Sequence, residues 1–256
     1  MYEAIVYTKE NGVATILFNR PQVMNALSSK MKHEIMQALA VAEADPEVRV
    51  VLMRGAGGRA FCAGQDLNEG KDVGHSSGGA AAWIAEFDRL YEAMRNLSKP
   101  IVAAIEGAGV GAGLQVALLA DVRIAADNAR LGMPEMNVGL SCITGSGLLW
   151  NIVGEANTRY LILSGAIVNA QRALQMGMLH EVVPVAEFDA KIKAVCEELK
   201  NDCPVATKLD KEWLRTLTDD HYKKAVAHAE VAHTKGYASG EPERKMQEFL
   251  AKSKRK

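Results

Sequence analysis

The chain has 256 residues, 48% hydrophobic and 24% charged, with a formal net charge of −1. A chain of this length buries roughly three quarters of the surface it exposes when unfolded, so its core needs neither disulfides nor a structural metal. The near-neutral balance argues against a dedicated nucleic-acid binder, which carries a basic surplus. The basic end Lys252-Ser253-Lys254-Arg255-Lys256 reads as a solvated terminus.

Cys62, Cys142, Cys196 and Cys203 form no C-x-x-C pair and show no metal-ligand spacing. Reduced thiols, no bound metal and a cytoplasmic location are expected. No stretch reaches the roughly 18 uncharged apolar residues of a membrane span, and no signal peptide is visible at Met1 to Val6.

Asn11-Gly12 lies between two apolar runs, 4–7 and 13–18, and predicts a hairpin. Ser28 or Ser29 caps a predicted helix to Ala44, with Met31, Ile35, Leu39 and Ala42 on one face, and Asp45-Pro46 stops it. Val48 to Met53 reads as a buried strand. Gly70 to Gly79 is expected to be a mobile loop, followed by a helix over about 80–97 and a strand over 100–105. Alternating strands and helices imply a mainly parallel sheet covered by helices. After Pro184 the strand signal ends. Helices are predicted near 186–200, 204–217 and 219–238, with a last one after Glu241-Pro242. Their modest apolar face, which includes Ala225, Ala229 and Ala232, suggests contacts with another copy of the chain.

Two glycine turns stand out. One is Phe61-Cys62-Ala63-Gly64-Gln65-Asp66-Leu67. The other is Gly107-Ala108-Gly109-Val110-Gly111-Ala112-Gly113, which opens an apolar helix. Glycines there let a backbone approach a ligand closely, and the first amides of a helix have no intrahelical acceptor. Such a site suits an anion, either a phosphate or a transient oxyanion. Gly107, Gly109 and Ala112 with Asp127 also fit a weak dinucleotide fingerprint.

These turns belong to a larger pattern. The blocks Asn19-Arg20-Pro21 to Asn25-Ala26-Leu27, Phe61 to Leu67, Lys99 to Asp121 and Gly154 to Pro184 occur in order. Together they resemble the crotonase superfamily, the enoyl-CoA hydratase/isomerase family, and displace the dinucleotide reading. The resemblance implies an α/β fold, a spiral of ββα units with an α-helical C-terminal oligomerisation region. It divides the chain into an acyl-CoA-binding core at 1–195 and a trimerising region at 196–256. A homotrimer or homohexamer is expected, with no nucleic-acid or membrane partner.

The resemblance also implies roles. The amides of Ala63 and Ala112 form an oxyanion hole for a coenzyme A thioester; coenzyme A belongs to the substrate, and no other cofactor is needed. Gln22, Val23 and Met24, with Ala63, Gly64, Gln65 and Asp66, line the coenzyme A arm. Ile143 and Cys142 reshape the acyl pocket. Glu135 is the general acid and base, and its apolar neighbours Met133 and Met136 imply a raised pKa. The family's other glutamate position holds Gln115, which donates a hydrogen bond but takes up no proton at neutral pH. One carboxylate favours double-bond isomerisation or slow hydration. Thioester hydrolysis, and coenzyme A-ester binding without turnover, are the alternatives. Cys142 reads as a packing thiol, Asp66 as a turn cap and Asp121 as a residue ordering a strand start.

Overall fold

The computed structural model describes residues 2–75, 78–200 and 203–253. Ser76 and Ser77 of the expected loop, and Lys254 to Lys256 of the basic end, lie outside them. Strands β1 (Ile5–Glu10) and β2 (Val13–Phe18) form the predicted hairpin, with Glu10 opposite Val13. Asn11 and Gly12 between them have φ of 48° and 78°, the left-handed pair that a two-residue turn between twisted strands requires. Helix α1 (Ser29–Ala44) begins where the Ser28 hydroxyl accepts the Met31 amide at 3.2 Å. It buries Met31, Ile35, Leu39 and Ala42.

From there the chain repeats one unit. The first is β3 (Val50–Gly55), β4 (Ala60–Cys62), a short α2 (Leu67–Gly70) and α3 (Gly79–Arg95). The next is β5 (Ile101–Ile105), β6 (Ala108–Val110) and α4 (Ala112–Leu118). The third is β7 (Val122–Ala126), β8 (Arg130–Gly132) and α5 (Ile143–Ser164). β9 (Ile167–Asn169), α6 (Ala170–Gln175) and β10 (Glu181–Val183) close the series. In each unit the first strand joins a six-stranded sheet, ordered β1-β2-β3-β5-β7-β10. The second strand joins a four-stranded sheet, ordered β4-β6-β8-β9. Successive units therefore climb two sheets at once, which is the expected ββα spiral. All pairings are parallel except β1 with β2 and β8 with β9.

The strands of the larger sheet are buried on both faces. Val51 and Met53 of β3 join the main core, and Val50 and Leu52 join a second cluster closed by Phe188 and Ile192 of α7 (Phe188–Leu199). This is the period of two expected of a parallel strand covered on both sides. Asp121 orders a strand start, as expected, by accepting the Ile101 amide at 2.7 Å.

Three expectations change. The strand placed at 48–53 occupies 50–55. The loop placed at 70–79 begins with the end of α2 and a 3-10 turn at Val73–His75. The helices expected at 204–217 and 219–238 are one helix, α8 (Pro204–Ala238). No glycine or proline lies between 205 and 235, so nothing interrupts the helical hydrogen bonds. Contacts with α3 hold its middle: Tyr222 donates to Asp88 at 2.7 Å, and Arg95 reaches Thr218 and Asp219. The last helix is α9 (Glu241–Ser253). No helix among the described residues is long and apolar enough to cross a membrane.

Candidate active site

The two glycine turns leave neighbouring strands, β4 and β6, of the smaller sheet, so the fold brings them side by side. Gly64 (φ 93°) packs directly on the second turn. A side chain there would lie 2.9 Å from the Val110 carbonyl oxygen and 3.4 Å from the Ala112 nitrogen. A cavity of about 770 Å³ opens along the joint. Gln22, Val23, Met24, Ala63, Gly64, Gln65, Asp66, Ala112, Gln115 and Glu135 all line it. Ile143 does not. It is the first residue of α5, and its neighbours Cys142 and Thr144 face the cavity instead.

The Asn19 to Leu27 block builds the floor of the first turn. Asn25 is fully buried at φ 55° and satisfies three backbone groups. Its Oδ1 accepts the Arg20 amide at 3.0 Å, and its Nδ2 donates to the carbonyls of Ala56 and Ala60 at 3.0 and 2.8 Å. An orphaned buried carbonyl costs about 1–3 kcal/mol, so this side chain helps to hold the turn's approach. Arg20 bridges onward to the Asp66 carboxylate at 2.9 Å, and Asp66 caps α2 through the Asn68 amide at 3.1 Å. Asp66 is thus a turn cap, as its sequence position suggests.

The free amides of the first turn differ from expectation. Ala63 N–H already donates to the Met24 carbonyl at 3.0 Å. It has no hydrogen left for a ligand, which corrects the donor expected at that residue. Around Gln65 the chain pairs with Leu27 as a parallel bridge: Leu27 N–H donates to the Gly64 carbonyl and Asp66 N–H to the Leu27 carbonyl. In that pattern the bridging residue turns its own amide to the opposite edge. That edge faces β6 and the turn into α4. The Gln65 amide finds no backbone acceptor among the described residues, and neither does that of Ala112, the first residue of α4.

Glu135 stands beside these amides on a 3-10 turn, Pro134–Val138, which follows β8. Its Oε1 lies 3.4 Å from where a Gly111 side chain would begin. The Gln115 amide nitrogen donates to Oε1 at 3.3 Å and lies 3.9 Å from Cys142 Sγ. Oε2 is buried and has no partner among the described residues. Burial lifts the Glu135 pKa above the usual carboxylate range, against the opposing pull of the Cys142 and Gln115 donors. Burial, then the neighbouring Glu135 charge, pushes the Cys142 thiol well above its ordinary range, so it is no thiolate nucleophile.

Gln115 is held on its other side by residues that sequence reasoning passed over. Tyr91 Oη and Thr144 Oγ1 both donate to its Oε1, at 3.0 and 2.9 Å. With Oε1 taken by two donors, the Gln115 NH2 must point at Glu135. Tyr91 is 24 residues away and Thr144 29, on separate helices, so no local signal marks them. Exposed Arg59 and Arg130 also line the cavity and give it positive charge. Among the described residues no group of three or more His, Cys, Asp or Glu is gathered to hold a metal ion.

Residues 8–256 match the model of a family described as enoyl-CoA hydratase/isomerase. A short-chain-enoyl-CoA hydratase of Clostridium acetobutylicum is 30% identical over 251 residues, covering 98% of this chain and 95% of that protein. A carnitinyl-CoA dehydratase of Proteus mirabilis is 32% identical over 225 residues, covering 86% and 83%. The crystal structure of an enoyl-CoA hydratase from Mycobacterium avium subsp. paratuberculosis K-10 matches with a TM-score of 0.87 at 26% identity, covering 98% of this chain and 97% of that one.

Proposed function

We propose, because the chain belongs to the enoyl-CoA hydratase/isomerase family, that it takes an enoyl-CoA thioester and moves its double bond through an enolate. The observation that carries this reading is the Glu135 carboxylate, whose buried Oε2 has no partner among the described residues and stands beside two backbone amides without a backbone acceptor there.

The thioester oxygen sits between the amides of Gln65 and Ala112. Removing a proton from C2 moves negative charge onto that oxygen. Amides already fixed in place meet the charge without reorganising, each contributing about 2.7–4 kcal/mol in the transition state. Glu135 Oε2 takes the C2 proton and returns it at C4. Its raised pKa matches that double duty, since the protonated and ionised forms are then closer in energy near neutral pH. Arg59 and Arg130 face the coenzyme A phosphates.

Hydration needs a second group to deprotonate or orient water. Gln115 cannot act as a base, and its NH2 is committed to Glu135 Oε1. With a 3-enoyl-CoA the expected product is the conjugated 2-enoyl-CoA, and crotonyl-CoA is hydrated more slowly. Release of free thiol without either product would point to thioester hydrolysis and contradict the reading. Gln115→Glu is expected to raise hydration of crotonyl-CoA by about a hundredfold, the usual worth of a positioned acid–base group. An unchanged hydration rate would mean that Gln115 is not what limits it.

We also propose a homotrimer or homohexamer. Val205, Leu209, Trp213 and Leu217 form an exposed apolar stripe at helical spacing along α8, which supports it. Light scattering is expected to give a mass three or six times the 27.6 kDa of the chain. A clean monomer would rule this out.

A further inference from the structure

One wall of the cavity is a row of aromatic side chains. Tyr91, Phe87 and Trp83 follow one another at four-residue spacing along α3, and all three line the cavity. Tyr91 marks the reacting end, because its hydroxyl holds Gln115. Trp83 lies two helical turns away, about 12 Å along the axis. Its ring meets Phe87 edge-on at 5.1 Å between centroids.

At that far end stands a group with no part in the proton transfer. His233 of α8 lines the cavity, is 6% exposed, and tilts against Trp83 with ring centroids 5.5 Å apart. Its Nδ1 lies 2.9 Å from the Ala229 carbonyl oxygen. A carbonyl only accepts, so Nδ1 carries the hydrogen and Nε2 of the neutral ring presents a lone pair. Nε2 has no hydrogen-bond partner among the described residues and is not sealed within the protein. Burial also holds the imidazole below its ordinary pKa, which favours the neutral ring. A neutral acceptor in an apolar, aromatic-walled slot matches a flat apolar body that carries a neutral hydrogen-bond donor, and a ring O–H supplies one.

We propose that His233 is a specificity-determining residue, and that the acyl group this protein takes ends in a hydroxylated aromatic ring whose O–H donates to His233 Nε2. The ring fills the slot along Trp83 and Phe87. The inference rests on the acyl-CoA reading of the same cavity and adds the distal end of the substrate to it.

Three saturated esters, which have no double bond to migrate or hydrate, test it by calorimetric titration of the full chain. They are 5-phenylpentanoyl-CoA, 5-(4-hydroxyphenyl)pentanoyl-CoA and 5-(4-carboxyphenyl)pentanoyl-CoA, whose arms span about the two helical turns between Tyr91 and Trp83. The hydroxyphenyl ester is expected to bind about five- to tenfold more tightly than the phenyl ester, the worth of one neutral hydrogen bond. His233→Phe keeps the ring and removes the acceptor, so it is expected to erase that gap. Equal binding of the phenyl and hydroxyphenyl esters overturns the inference, and so does a gap that survives His233→Phe. Tightest binding of the carboxyphenyl ester also overturns it, because that requires a charged imidazole. If the phenyl ester binds without a hydroxyl gain, only the inference about His233 fails. If none of the esters binds, the acyl-CoA reading fails with it. Should His233→Phe not fold, the ranking of the three esters on the unaltered protein decides the matter alone.

Discussion

Glu135→Gln is expected to lower turnover of a 3-enoyl-CoA by about a hundred- to ten-thousandfold, the range for loss of a positioned general acid–base group. The amide is nearly the same shape as the carboxylate, so binding of the thioester should survive. The substitution is also expected to make the protein more stable as pH rises above the usual carboxylate range. Burial raises the Glu135 pKa in the fold above its value in the unfolded chain. Between those two values the folded protein holds a proton that the unfolded chain has lost, so stability falls as pH rises through that window. Glutamine carries no titrating proton and removes that loss. The same raised pKa means that activity of the unaltered protein climbs with pH through a point above the usual carboxylate range, because the base form starts the reaction. Steady-state rates across pH, with melting curves of both proteins, check all three statements. Undiminished turnover in the variant would remove Glu135 from the chemistry.

The second large effect is expected at Gly113, inside α4. A methyl group there would sit 2.2 Å from the Cys62 carbonyl oxygen and 2.8 Å from Cys62 Cβ. Both belong to the strand that leads into the first turn, and a backbone oxygen cannot swing aside as a side chain can. Alanine gains about 1 kcal/mol of helix propensity over glycine. Forcing atoms into a closed contact costs about 1–3 kcal/mol, and more where backbone must move. The clash therefore decides the sign. Gly113→Ala is expected to lower Tm by several degrees and to push α4 away from β4, widening the gap between the Gln65 and Ala112 amides. A misplacement of that kind costs about a hundredfold in rate. Unchanged melting and turnover would mean that the two turns are not held as closely as this contact implies.

How much of this could be read from the residues depends on how far apart the partners lie. Asn11-Gly12 and the Ser28 cap are local, and the hairpin and α1 formed where their own residues placed them, while the strand read at 48–53 formed two residues later, at 50–55. Glu135 and the two glycine turns were legible because their blocks are contiguous in the chain. The choice of amide was not. Ala63, Gly64 and Gln65 look alike as backbone donors until Met24 takes the hydrogen of Ala63 and Leu27 turns the amide of Gln65 toward the second turn. Those pairings join residues some 40 positions apart. The lock on Gln115 by Tyr91 and Thr144, and the placement of His233 beside Trp83, likewise arise only when helices pack. The unbroken α8 is a different case. The chain between 205 and 235 holds no helix breaker, so nothing ends the helix near Thr218, where the interruption was predicted.

The central claim is that Glu135 draws a proton from C2 of a thioester whose oxygen lies between the amides of Gln65 and Ala112. Hydrogen exchange at C2 of butanoyl-CoA in deuterated water tests it most directly, since that ester offers no double bond to hydrate or move. Followed by proton NMR, the C2 signal is expected to fade with the unaltered protein and to persist with Glu135→Gln. A C2 signal that persists while the unaltered protein is saturated with the ester, or that fades equally with both proteins, would contradict it.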